Sequence, residues 1–321
     1  MTSQHFLAPV TADNFVRAES HFYFATAVRQ GSFGRFFHRR ALAPVEQQTI
    51  VRVNRDTLYS TAVFDLDAGP VTVKLPDAGD CFRSMVAINE DQYVGTVVYD
   101  AGDHTFSREQ IGTRYVLIGV RTLIDPTDAD QVRRVHALQD AIEVEQKEAG
   151  HFDVPQWDPV SQKKVRLALQ TLGDTLPDSR GMFGTHDEVS PVRHLIGAAS
   201  AWGGNPERHA MYLMVNPARN DGATCYRLSV RDVPVDSFWS ISVYNAAGYF
   251  EPNPHAAYTL NNLTAQREKD GSICVQFGGY DGKTPNCLPI TPDWNYMVRL
   301  YRPRPAILDG SWSFPDAQPV N

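Results

Sequence analysis

Apolar and polar positions alternate in two separate stretches of the chain, and between them the period changes. In the first stretch Thr57–Leu66, Val71–Leu75, Phe82–Asn89, Tyr93–Tyr99 and Arg114–Ile124 are rich in β-branched and aromatic residues. Turn signals such as Asp67-Ala68-Gly69-Pro70 and Asp77-Ala78-Gly79-Asp80 separate them, so each reads as a strand, with Thr49–Val53 as a shorter one before them. From Asp128 the spacing becomes helical, with Val132, Val135, Leu138, Ile142 and Val144 forming one apolar face through Glu148. Further helices are predicted over Ser161–Leu176 and Pro191–Trp202. Another, Thr11–Gln30, precedes the strands, capped by Thr11 or Asp13 and ended by Gly31. Alternation then resumes in Ala210–Val215, Cys225–Arg231, Phe238–Tyr244, Ser272–Phe277 and Trp294–Tyr301, ahead of a Pro-rich tail. The pattern predicts a mainly β chain with a helical insertion (α+β), its strands spaced for antiparallel sheets.

A fourteen-residue pattern occurs once in each β stretch. Asp80-Cys81-Phe82-Arg83-Ser84-Met85-Val86-Ala87-Ile88-Asn89, closing on Tyr93, matches Asp236-Ser237-Phe238-Trp239-Ser240-Ile241-Ser242-Val243-Tyr244-Asn245, closing on Tyr249. Asp, Phe, Ser, Asn and Tyr keep their places. Leu58-Tyr59 answers Met211-Tyr212 before this block, and Tyr115 to Arg121 answers Tyr296 to Arg302 after it. Three collinear matches point to duplication of one β unit. The expected architecture is therefore two jelly-roll-like antiparallel β sandwiches. An N-terminal helix with the first sandwich takes residues 1–125, the helical insertion 126–206 and the second sandwich 207–321. If the copies are equivalent, Phe82 and Phe238 both face a core, with Ser84 and Ser240 on the same side.

Composition narrows the partners. A formal charge of −7 with dispersed Lys and Arg argues against nucleic acid or an anionic membrane surface. No apolar run reaches a membrane span, and Met1 to Val10 lacks the charged start and apolar stretch of a secretory signal; as given, the chain reads as cytoplasmic, or as exported and already trimmed. The four cysteines show no CxxC; Cys274 with Cys287 is the one tempting disulfide, and reduced thiols are the plainer reading. No nucleophile elbow, phosphate loop or metal-binding histidine pattern is present, so neither metal nor organic cofactor is expected. Self-association is left open.

What remains is a set of polar residues embedded in strands. Asn54-Arg55-Asp56 stands just before the strand that carries Tyr59, either as a salt-bridged turn or as side chains presented to a cleft. Asn89 and Asn245 read as turn formers whose side chains satisfy the backbone, whereas Glu90 and Glu251 have no such need. His194 is either a satisfied core histidine or a group projecting toward a cleft. Trp239 and Tyr244 are core, or platforms for a sugar or planar ligand.

Asn54-Arg55-Asp56-Thr57-Leu58-Tyr59-Ser60, followed by Phe64-Asp65-Leu66, resembles the signature of the bacterial proteins called domain of unknown function 1254. Phe238 to Asn245, Asn286-Cys287-Leu288-Pro289 and the run from Arg299-Leu300-Tyr301 to Trp312 resemble its usual C-terminal partner, domain of unknown function 1214. The resemblance implies a β-rich fold with a helical part and frequent export, and names no reaction.

Two functional classes follow. The first is a cofactor-independent hydrolase of a small or sugar-like substrate, with Asp56, Glu90 and Glu251 as acid and base, Tyr59 and Tyr244 as hydrogen-bonding partners, and Arg55 or Arg299 holding an anionic portion. The second is a non-catalytic ligand- or carbohydrate-binding protein built on Trp239, Tyr244 and Tyr249, with His194 as a further contact. A hydrolase of the glycosidase kind needs two carboxyls within about 10 Å in one pocket, and a binder does not.

Overall fold

Strand pairing fixes which side chains of an alternating segment point inward, so register decides where each polar residue ends up. The computed structural model describes residues 7–48 and 51–320. By density of contacts the chain divides into two units. One takes the chain up to Ala41 with Thr57–Thr175 and Arg180–Pro206; the other takes Leu42–Asp56, Leu176–Ser179 and the chain from Glu207 onward.

The first unit contains β1 (Phe37–His38), β2 (Thr57–Asp65), β3 (Val71–Leu75), β4 (Arg83–Asn89), β5 (Thr96–Val98), β6 (Gly102–Phe106), β7 (Tyr115–Leu123) and β8 (Glu143–Glu145). They form a five-stranded sheet in the order β1-β2-β7-β4-β5 and a three-stranded sheet in the order β6-β3-β8. Ala62, Phe64, Val71, Val73, Met85, Ala87, Val116 and Ile118 bury between the sheets; each fully buried side chain of the larger kind contributes about 1.5–3 kcal/mol. The other face of the larger sheet, with Val63, Val86, Ile88 and Leu117, is covered by Phe24 and Ala27 of α1 (Phe15–Arg29) and by Trp202. Helix α2 (Arg108–Ile111) is a single capped turn.

Three expectations change here. Helix α3 runs Ala129–Asp140 and stops, and Ile142 and Val144 belong to the strand β8 and its approach, where Val144 pairs with Val73 of β3. Ile142 and Val144 stand two residues apart, so they fit strand alternation as well as a helical face, and the free edge of β3 decides between them. Asn14 occupies the N-cap of α1, and neither Thr11 nor Asp13 does; Gly31 follows the helix at φ +93°, as a terminating glycine should. Val51 and Arg52 form a turn, not a strand, while Thr49 and Ile50 lie outside the described residues. Helices α4 (Pro159–Gly173) and α5 (Pro191–Ala201) fall where expected. Buried Glu19 of α1 ties α4 down through a two-pronged contact with Arg166, 2.8 and 2.7 Å, and one with Gln162.

The second unit contains β9 (Ala210–Val215), β10 (Tyr226–Val230), β11 (Trp239–Tyr244), β12 (Thr259–Asn261), β13 (Ile273–Phe277), β14 (Cys287–Leu288), β15 (Asn295–Tyr301) and β16 (Gln318–Pro319), with a short α6 (Pro305–Leu308). Two four-stranded sheets, β12-β11-β15-β9 and β14-β13-β10-β16, enclose Leu228, Trp239, Ile241, Val275, Phe277, Trp294, Val298 and Leu300. All pairs are antiparallel except the short β13–β14. The outer face of the first of these sheets carries Tyr244 and Met297, packed with Val45, Val53 and Phe250. The protein is thus mainly β, two sandwiches with a helical part.

The repeated segments hold equivalent places. In one unit the order is β2-β7-β4-β5; in the other it is β9-β15-β11-β12. Tyr59 pairs with Arg121 and Arg121 with Ser84, as Tyr212 pairs with Arg299 and Arg299 with Ser240. Asn89 Oδ1 accepts from the amides of Asp91 and Tyr93, as Asn245 Oδ1 does from those of Ala247 and Tyr249. The fourth residue of each turn has positive φ: +61° at Gln92 and +80° at Gly248. One expected match shifts. Register sets Arg121 against Arg299, not Arg302, because both arginines stand opposite a Tyr and a Ser.

Candidate functional site

Strand alternation sends Arg299 of the second unit to the outer face of its sheet, beside Tyr212 on β9 and Ser240 on β11. The guanidinium is buried there and donates to Ser242 Oγ at 2.8 Å, Tyr244 Oη at 2.7 Å and the Arg52 carbonyl at 2.8 Å. Tyr244 Oη in turn donates a hydrogen bond to the Val53 carbonyl, 3.0 Å away. Next to this cluster Asp56 is fully buried, accepting from Ser240 Oγ at 2.6 Å and Asn261 Nδ2 at 3.3 Å. Burial pushes the Asp56 carboxyl up from the usual aspartate range, against the pull of Arg299, Ser240 and Asn261. Burial works against the charge of Arg299 too, but Tyr244, Tyr301 and Asp56 outweigh it and its proton is held more tightly than usual.

The same row in the first unit is finished differently. Arg121 lies 5.7 Å from the centre of the Tyr59 ring and donates to Asn205 Oδ1 at 2.9 Å and the Gly203 carbonyl at 2.5 Å. Ser84, paired with it, has a buried hydroxyl without a hydrogen-bond partner among the described residues. Away from this row, Glu90 is buried in its own network. Trp157 Nε1 donates to His21 Nδ1 at 3.1 Å; since indole only donates, Nε2 of His21 carries the proton that meets Glu90 Oε1 at 2.9 Å. The Tyr115 amide donates to the other oxygen at 3.0 Å, and Arg17 stands 3.8 Å away. Burial alone would raise the Glu90 carboxyl; His21, Tyr115 and Arg17 overcome it and hold it below the usual glutamate range. Arg17 also grips Asp91 at 2.7 and 2.6 Å. His194 is a buried histidine with both ring nitrogens on carbonyls, Met182 at 3.0 Å and Asp91 at 2.9 Å, stacked on Tyr93.

The remaining predicted residues divide. Trp239 packs inside the second sandwich and is only 4% exposed, so its indole faces no groove. Arg55 bonds the Ala43 carbonyl and lies over the rings of Tyr258 and Phe250, at 5.4 and 5.9 Å. Tyr244 and Glu251 line a cavity of about 120 Å³ with Asn245, Asn253, Tyr258 and Ile290. Glu251 is exposed and accepts from Asn245 Nδ2 at 2.9 Å. A more open, mostly polar cavity of about 430 Å³ lies among Thr259, Gln266, Tyr280, Lys283 and Asn286. Sequence reasoning did not single out His21, Trp157, Arg121 or Asn261. Arg121 alone had a signal, its place in the repeat, which the three-residue shift concealed.

Among the described residues no group of three or more His, Cys, Asp or Glu is placed to hold a metal, all four cysteines are free, and no helix is long and apolar enough to cross a membrane. Residues 33–107 match the model of the family described as protein of unknown function DUF1254, and residues 214–305 that of DUF1214. The chain thus carries a DUF1254 match followed by a C-terminal DUF1214 match, as the sequence resemblance implied. The DUF1254 match takes in Tyr59, Ser84 and Glu90; the DUF1214 match takes in Ser240, Tyr244, Asn261 and Arg299. The fold is similar to that of the VPA0106 protein from Vibrio parahaemolyticus, with TM-score 0.71, 15% identity and coverage of 97% of this chain and 98% of that one. An uncharacterized protein from Burkholderia cenocepacia is also similar, with TM-score 0.55 and 13% identity over 96% of this chain and 88% of that one. No curated protein matches the sequence.

Proposed function

We propose that this protein binds a small organic ligand without transforming it, in the cavity formed by Tyr244, Asn245, Glu251, Asn253 and Tyr258. The observation that carries this reading is that each of the three candidate carboxyls keeps partners of its own. Asp56 is sealed under Ser240 and Asn261, Glu90 is engaged by His21 and the Tyr115 amide, and Glu251 is the carboxyl that lines this cavity. A two-carboxyl hydrolysis finds no pair there.

The cavity walls suggest the ligand's character. Val243, Ile290 and the two tyrosine rings offer apolar surface, and Glu251 with Asn245 and Asn253 supplies one polar end. At about 120 Å³ the space falls below the roughly 300–1,000 Å³ of sites for drug-sized molecules, so it suits a small molecule or one end of a longer one. A carboxylate at that end favours a partner that donates hydrogen bonds, such as an amine or a sugar hydroxyl. The test is an NMR titration of the whole chain with a panel of small amines and monosaccharides. Shifts confined to Val243–Asn253 and Tyr258, lost in Glu251→Gln, support the reading; shifts that persist unchanged in Glu251→Gln sink it.

A further inference from the structure

The second unit has a cavity that the proposed function leaves unused. It holds about 430 Å³, within the roughly 300–1,000 Å³ of sites for small molecules, and Thr259, Gln266, Tyr280, Lys283 and Asn286 give it a mostly polar wall. That wall is fastened. Asn286 stands at φ +52°, a conformation that asparagine adopts more readily than most residues. From there its Nδ2 donates to the Gln266 carbonyl at 2.8 Å and the Cys274 carbonyl at 3.0 Å, while its Oδ1 accepts from the Gln266 amide at 2.8 Å. The Tyr280 ring is held by stacking on His255, with centroids 3.8 Å apart. Asn286, Cys287 and Leu288, from the run that resembles domain of unknown function 1214, all line this cavity.

The polar groups of the lining divide into those that hold the fold and those that do not. Thr259, Thr264 and Thr284 give their hydroxyl protons to the Ile241 carbonyl, the Asn261 carbonyl and the Asp281 carboxylate. Lys283, the charged side chain of the lining, has no ion pair among the described residues, and the Tyr280 hydroxyl and the Gln266 side-chain amide have no hydrogen-bond partner there. Asp281, close by in sequence, does not line the cavity; its oxygens accept from the Lys283 and Thr284 amides at 2.9 and 2.7 Å. We propose that this cavity binds an anionic sugar, with its carboxylate or phosphate on the Lys283 ammonium and its hydroxyls on Tyr280 and Gln266. An ammonium only donates and carries the opposite charge, whereas phenol and amide both donate and accept, as sugar hydroxyls do. The site is distinct from the one at Glu251: the two linings share Ala257, and one carries a carboxylate where the other carries an ammonium.

The probes are glucuronate, glucose 6-phosphate, glucose and sodium sulfate, each titrated into the whole chain at one ionic strength and followed by amide NMR. At least one anionic sugar should shift the amides of Gln266, Tyr280, Lys283 and Asn286 and saturate, and which of the two does so names the anion. Glucose and sulfate should bind at least about tenfold more weakly, since each lacks half of the contacts. Lys283→Gln, at an exposed position, should keep the fold and weaken the anionic sugar at least about tenfold. Tyr280→Phe, which keeps the ring on His255, should weaken it severalfold. Glu251→Gln should leave these shifts unchanged, so failure here and failure of the proposed function are told apart. The inference is overturned if neither anionic sugar shifts these amides, if glucose binds as well, if sulfate does so as an adventitious ion only, if Lys283→Gln or Tyr280→Phe binds as wild type does, or if Glu251→Gln abolishes the response.

Discussion

In each sheet a tyrosine, an arginine and a serine stand side by side on three neighbouring strands, Tyr59–Arg121–Ser84 in one unit and Tyr212–Arg299–Ser240 in the other. What surrounds them differs. Arg299 is closed in by Ser242, Tyr244 and the Arg52 carbonyl, with Asp56 supplying the negative charge. Arg121 donates to a side-chain amide oxygen and a backbone carbonyl among its partners, and the Ser84 hydroxyl has no hydrogen-bond partner among the described residues. The same backbone geometry therefore presents the same three groups, and the segments laid over them decide which partners each group meets.

The sharpest way to break that comparison is to remove each arginine in turn. Arg299→Met strands three acceptors and a buried carboxylate, and should cost about 3–5 kcal/mol, as breaking a buried charge network does. Arg121→Met strands the Asn205 side-chain oxygen and the Gly203 carbonyl and should also destabilise by urea unfolding, and an unchanged midpoint would show that these two bonds contribute nothing. The next position along each strand gives a similar contrast. Trp239→Ala should cost about 3–5 kcal/mol, as for other core aromatics. Its counterpart Arg83 is buried with Nη1 donating to the Pro76 carbonyl and with Nε and Nη2 unpartnered among the described residues, so Arg83→Met should be near neutral. A large loss in Arg83→Met would point to a further partner for that guanidinium beyond the Pro76 carbonyl.

The two buried carboxyls sharpen the comparison through pH. Glu90 is held below its ordinary value near 4.3, so its contribution is present above that value and lost as pH falls through the lower folded one. Glu90→Gln should cost about 2 kcal/mol at neutral pH, the worth of hydrogen bonds to a charged group, and less as pH falls below about 4. Asp56 has the opposite sign. Its carboxyl lies above the ordinary value near 3.9, so its contribution is fully present below that value and lost as pH rises through the raised one. Wild type should therefore lose stability relative to Asp56→Asn as pH rises above the ordinary aspartate value and through the raised folded one, the smallest of these effects. Urea midpoints at several pH values decide it; a constant difference between the two proteins would mean that Asp56 ionises as freely folded as unfolded.

Much of this was legible in the chain. Alternation located most of the long strands, since a half-buried sheet needs apolar residues at every second position, and the repeated Asn–Tyr turn marked the same turn in both units. The polar edge strand β6, Gly102–Phe106, left no such mark, because only Phe106 among its residues is buried. Trp239 looked the same in sequence whether it lined a groove or filled a core.

Sequence by itself determined the sheets, their helical cover and the residue types along each strand, because these follow from local periodicity. Tertiary structure alone decided which carboxyl met which donor. Asp56 reaches Ser240 across 184 residues and Glu90 reaches His21 across 69, and no local pattern encodes such distances. Whether a polar side chain is a site or a sealed support depends on what covers it, and that cover comes from remote segments of the chain.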